Sequence, residues 1–126
     1  MEIGEILEAE TAEKWRGWLA ANHALRRDIW LVFFRKSVGR RWLSYEQAIE
    51  EALCYGWVDG QAKGMDEVRH AIRFTPRRPG RPLAESNRQR ALRLIDGGRM
   101  TEAGAGVLPA DLVAIWQHRN GLGDGG

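Results

Sequence analysis

A single cysteine, Cys54, in a chain of 126 residues excludes an intramolecular disulfide and makes a reducing, cytoplasmic location the expectation. No apolar run approaches the roughly 18 to 20 residues that a membrane-crossing helix needs, so no membrane span is expected. The first thirteen residues hold Glu2, Glu5, Glu8, Glu10 and Glu13 and no basic residue, the reverse of a secretory leader. Metal-ligand spacing is absent: His23, His70 and His118 are scattered, and there is neither His-x-x-x-His nor Cys-x-x-Cys. Walker, Rossmann and Gly-x-Ser-x-Gly motifs are missing too, so neither a metal nor a cofactor is expected.

Lysine is scarce, three residues against sixteen arginines, and the net charge of +2 does not by itself imply a polyanionic partner. The charge is unevenly spread. Between Arg69 and Arg99 nine arginines stand against only Glu85 and Asp96.

Along the chain, Thr11 precedes a stripe of Trp15, Trp18, Leu19 and Asn22 at helical spacing. Ile29 to Phe34 is an unbroken apolar run of β-formers, the pattern of a central strand covered on both faces. Ser44 and Gln47 fit a capping box, and Tyr45, Ala48, Ile49, Ala52 and Leu53 continue as one helical face that Gly56 stops. Trp57 to Asp59 reads as a short strand that Asp59-Gly60 turns, and Arg69 to Thr75 alternates as a half-buried strand. Three prolines between Pro76 and Pro82 rule out regular structure there, ahead of a helix over about 82–96. Thr101 caps a short turn, and Pro109 to His118 forms a last amphipathic helix. These elements predict an α/β or α+β fold: one domain over 13–118, with one short sheet of about three strands packed by four to five helices. An acidic lead-in over 1–12 and a flexible Gly-rich tail over 119–126 flank it.

Several motifs carry a resemblance: Glu13-Lys14-Trp15, Ile29-Trp30-Leu31, Ala52-Leu53-Cys54-Tyr55-Gly56-Trp57-Val58-Asp59-Gly60, Ile72-Arg73-Phe74-Thr75-Pro76-Arg77 and Gly98-Arg99-Met100-Thr101. On these, over about residues 13–104, the chain resembles the YdeI/OmpD-associated, or bacteriocin-protection, family of small bacterial domains. The resemblance implies a role in protection against bacteriocins or envelope stress and supplies no catalytic mechanism. Where that family shows a Trp-Ser pair ahead of an asparagine, this chain has Leu83 and Ala84 ahead of Asn87.

The candidate ligand-binding residues are Trp57, Asp59, Arg73, Thr75, Arg77 and Asn87. Arg73, Thr75 and Arg77 alternate to one side of an extended strand, where guanidinium forks would cradle an anion; alternatively Arg73 pairs with Asp59 and Arg77 is solvated. Asp59 is either a ligand-binding carboxylate or a turn residue, and Trp57 either stacks a planar ligand or fills the core. Asn87, polar on an apolar stripe, either bonds the backbone of 57–60 or 73–77 or lines a pocket beside them. Cys54, at a helix C-terminal end, reads as a buried structural thiol.

Three readings follow. The first is a binding module for a small anionic ligand or a peptide carboxylate, with no identifiable protein partner. The second is a nucleic-acid-binding module using the Arg-rich 69–99 segment. The third is an enzyme of unknown reaction using Asp59 with His70, for which no nucleophile is evident.

Overall fold

The computed structural model describes residues 3–121. Its elements run β1 (Ile6–Leu7), α1 (Ala12–Asn22), β2 (Ile29–Phe34), a 3-10 turn (Lys36–Val38), α2 (Tyr45–Cys54), β3 (Trp57–Gly64), β4 (Arg69–Pro76), α3 (Glu85–Asp96), α4 (Glu102–Ala105) and α5 (Ala110–Arg119). The strands form one sheet in the order β1-β2-β4-β3. β1 lies parallel to β2, and the other pairings are antiparallel. This is the α+β architecture expected, with four strands instead of about three. The extra strand, β1, lies inside the acidic lead-in and is two residues long, too short to show a period. At the other end α5 continues through Arg119; of the predicted tail, residues 122–126 lie outside the described residues, as do Met1 and Glu2 of the lead-in.

Local signals set the helix starts. Thr11 Oγ1 accepts from Lys14 N at 3.2 Å. At α2 the capping box is complete: Ser44 Oγ accepts from Gln47 N at 3.1 Å, and Gln47 Oε1 accepts from Ser44 N at 3.0 Å. Gly56 adopts φ 77° just past the end of α2, the left-handed stop that glycine provides without steric cost. α3 starts at Glu85, later than the expected 82, and its N-cap, Ala84, makes no side-chain bond.

The helix-facing side of the sheet is set by the pleat. Ile29, Leu31 and Phe33 of β2, Ile72 and Phe74 of β4, and Trp57 of β3 pack with Trp15, Leu19, Ala48 and Ala52. Each buried large side chain of this kind contributes about 2 kcal/mol of transfer free energy. Trp15 meets Phe74 edge-on at 5.2 Å, and its indole donates to Ala48 O at 3.0 Å, so the one polar atom of a buried ring is satisfied. The opposite side of α2, through Ile49, Leu53 and Cys54, packs on Ala91, Leu94 and Ile95 of α3, with Met100, Ala105 and Leu112 completing a second cluster. α2 is thus covered on two sides, and even its one buried acid, Glu51, is held by Arg16 and Arg99. Burial pushes the Cys54 thiol up, and it is fully buried, as a structural thiol.

One expectation fails at β3. Asp59-Gly60 does not turn the chain: β3 runs on to Gly64, and the register slips between Asp59 and Ala62 in a β-bulge. The reversal comes later, where Asp66 Oδ1 accepts from Val68 N at 2.9 Å and Arg69 N at 2.8 Å. The side-chain oxygen supplies the acceptor that closes the turn.

Candidate functional site

Strand pairing decides which candidate residues meet. Asp59 lies directly opposite Phe74, Val58 opposite Thr75, and Trp57 opposite Pro76. Directly paired residues share a face and successive residues alternate. Trp57 and Asp59 therefore stand on the helix side of the sheet, and Arg73 and Thr75 on the other. The six candidates do not form one cleft.

Trp57 is 1% exposed and meets Trp18 edge-on at 5.6 Å; it is core and offers no face to a ligand. Arg73 does not pair with Asp59. Its Nε donates to Asp28 Oδ2 at 2.9 Å, on the face that Asp59 does not share. Asp59 instead accepts from the hydroxyl of Tyr45 at 2.5 Å. Asn87 reaches neither the 57–60 nor the 73–77 backbone; its Oδ1 accepts from Arg90 Nη1 at 2.9 Å, and Arg90 also grips Glu46 with two bonds of 2.7 and 2.8 Å. Asn87 thus steadies an α3-to-α2 ion pair. His70 and Asp59 share the helix side, but their register partners, Gly64 and Phe74, place them four positions apart on β4, roughly 13 Å, too far for direct proton transfer.

The Tyr45–Asp59 bond has a measurable signature. The hydrogen bond to Asp59, helped by partial burial and the carboxylate charge, pushes the Tyr45 phenol up to about 12. A raised folded-state value means that the native state holds the proton more tightly, so this contribution is intact below the unfolded pKa of about 10 and is lost as pH climbs toward 12. In a Tyr55→Phe background, ultraviolet titration should show phenolate near pH 12 with Asp59 and closer to 10 with Asp59→Asn. Equal titration in the two proteins would refute the bond.

Thr75 and Arg77 do come together, on the far face, at the end of the β3–β4 ladder. With Val58, Arg78, Arg81 and Pro82 they line an open depression of about 460 Å³. Pro76 ends β4, and Pro79 and Pro82 keep the 77–82 segment out of helix or strand, which lets it curl back over the strand ends. Arg77 is 8% exposed. Its backbone N–H donates to Gly56 O at 2.7 Å, its Nη1 donates to Val107 O at 2.7 Å, and its Nη2 donates to Arg81 O. Contrary to the alternative of a solvated side chain, this guanidinium ties the loop to the Val107 turn. No carboxylate compensates it among the described residues. Burial, with Arg81 close by, holds its pKa below the usual arginine value.

Arg78 and Arg81 are exposed and form no salt bridge among the described residues. Neither is among the six candidate residues. Their signal was there, in two arginines flanking Pro79-Gly80, a turn that holds both on one short arc. The depression therefore has three guanidiniums, one hydroxyl and no acid in its lining. Such a set can neutralise an anion, and its lining holds no general base to activate the Thr75 hydroxyl.

A family model described as Domain of unknown function (DUF8412) matches residues 7–107. No curated protein and no solved structure matches the chain.

Proposed function

This chain belongs to the DUF8412 family, whose description assigns no activity, and from that premise we propose that it is a small-ligand-binding domain, its occupant a small anion or the carboxylate of a peptide. The observation that carries this reading is the depression around Arg77, a buried cation with two free arginines beside it and no acid in the lining. An anion seated there relieves the mutual repulsion of the guanidiniums and gains charge-assisted hydrogen bonds.

The nucleic-acid reading draws less support. Of the nine arginines between 69 and 99, five are taken up in salt bridges: Arg69, Arg73, Arg88, Arg90 and Arg99. With Arg77 turned to backbone carbonyls, Arg78, Arg81 and Arg93 remain, a small footprint for a polyanion. The enzyme reading rests on Asp59, whose carboxylate is already occupied by Tyr45. A binding role is compatible with the bacteriocin-protection resemblance and with a cytoplasmic home, in keeping with a fully buried lone thiol. No helix among the described residues is long and apolar enough to cross a membrane.

Thermal scanning with phosphate, pyrophosphate and citrate tests the proposal. At a concentration about 100-fold above Kd, a ligand specific for the native state adds about 2.7 kcal/mol. Wild type should rise in Tm with at least one of these anions, and the Arg78→Ala/Arg81→Ala protein should lose that rise. Arg77 is left intact because it also holds the loop. Equal stabilisation of both proteins, or none of either, would overturn the assignment.

A further inference from the structure

We propose that the pocket at the Phe34 end of β2 is a second, separate binding site, for a small planar aromatic anion. It encloses about 300 Å³, at the small end for ligand pockets and suited to one or two fused rings. Phe33, Phe34, Trp42, Tyr45 and His70 supply ring surface, and Arg35, Lys36 and Arg40 supply charge; no Asp or Glu lines it. These three cations form no salt bridge among the described residues. Its His70 and the Thr75 of the Arg77 depression are five positions apart on β4, roughly 16 Å, so the two sites stand or fall independently.

The rings are held in advance. Trp42 Nε1 donates to Val32 O at 2.9 Å and Tyr45 donates to Asp59 at 2.5 Å, so the polar atoms of both rings are already used and their contribution to a ligand is apolar surface. Phe33 stacks on His70 at 5.6 Å and meets Tyr45 edge-on at 6.4 Å, while Phe34 meets Trp42 edge-on at 4.8 Å. Arg40 sits 4.6 Å above Phe34 and 5.3 Å from Trp42. Its guanidinium thus lies against the aromatic wall itself, a fork held by cation–π contact beside the space that a bound aromatic acid would fill.

His70 adds a polar demand. Its Nδ1 is the one buried side-chain nitrogen or oxygen among the described residues without a hydrogen-bond partner. A buried nitrogen without a partner is destabilising, and the ring that carries it is part of the pocket lining. Aromatic walls and forked cations around an orphaned imidazole nitrogen match an aromatic acid better than a neutral ring or an aliphatic anion.

Heteronuclear NMR and calorimetry on the full chain test this with 2-naphthoate, 2-naphthyl phosphate and the neutral 2-naphthylmethanol. One or both acids should shift the Trp42 indole and His70 signals and bind at least about tenfold more tightly than the alcohol, an increment expected of a charge-assisted contact. Whichever acid binds better identifies the acid group as carboxylate or phosphate. Arg40→Ala should weaken binding by about tenfold or more and Arg78→Ala/Arg81→Ala should leave it unchanged. His70→Phe, which keeps a ring but removes Nδ1, should also weaken binding of the acid, and thermal melts of all three variants check that each is folded. Equal binding of acid and alcohol, shifts at Thr75 instead, or none at millimolar ligand would overturn the proposal.

Discussion

Gly104→Ala should destabilise the protein by about 3 kcal/mol, the upper range for forcing a group into a packed interior. For a chain of this size that is a fall in Tm of roughly 10 °C. A Cβ at this position would stand 2.6 Å from Cys54 C and 2.7 Å from Leu53 O, and closer still to Cys54 O. These are backbone atoms at the end of α2 and cannot rotate away. α4 would have to lift, and it is fastened there: Thr101 donates to Cys54 O from its backbone N–H at 3.2 Å and from its hydroxyl at 2.5 Å. Gly17→Ala is the control. Gly17 is an exposed interior position of α1 with nothing within 4 Å of its added methyl, and there alanine should stabilise by about 0.8 kcal/mol through helix propensity. Thermal melts of the two variants should move in opposite directions. A Gly104→Ala protein as stable as wild type would mean that α4 does not pack on α2 this closely.

Glu51→Ala should cost a similar amount, about 3 kcal/mol, because removing one member of a buried ionic set leaves the others uncompensated. Glu51 is 2% exposed. Arg16 Nη1 donates to its Oε1 at 2.8 Å and Arg99 Nη2 to its Oε2. Burial draws the Arg16 guanidinium down, and its bond to the Glu51 carboxylate, with the Cys54 sulfur nearby, more than offsets this, leaving it raised. Arg16 also donates to Arg99 O at 2.8 Å, so the acid organises α1, α2 and the segment before α4 together. Urea denaturation should show the loss at unchanged m-value. The triple variant Glu51→Leu with Arg16→Met and Arg99→Met should recover most of it, since replacing a whole buried set by apolar groups is often near neutral. If Glu51→Ala were neutral in urea, the triad would be ornamental.

These two sites explain much of the motif that stands out in the sequence. Gly56 clears Val107 and Ala103, where an added methyl would stand 2.8 Å and 3.2 Å from them. Trp57 fills the core, Arg99 reaches Glu51, Met100 joins the second cluster and Thr101 binds Cys54 O. The residues of that motif are therefore mostly fasteners between α2, β3 and α4. The basic depression uses less conspicuous arginines in a proline loop.

Much of the architecture was legible locally. Thr11, the Ser44–Gln47 box and Gly56 mark helix ends because a cap or a left-handed glycine acts within four residues of itself. The apolar run of β2 read as a central strand, and it is one, flanked by β1 and β4. What it takes to line up a site is different in kind. Asp59 and Arg73 looked like partners on charge alone, but pairing Asp59 with Phe74 sends them to opposite faces, and Arg73 finds Asp28 45 residues away. Neither fact has a local signal, because strand register depends on which residue meets which across the ladder. The same holds for Arg77, whose carbonyl partner Val107 is 30 residues distant. Caps, turns and hydrophobic periods, which are short-range physics, were in the chain from the start; the faces of the sheet, and with them the two arginine-lined hollows, came only with the fold that set the register.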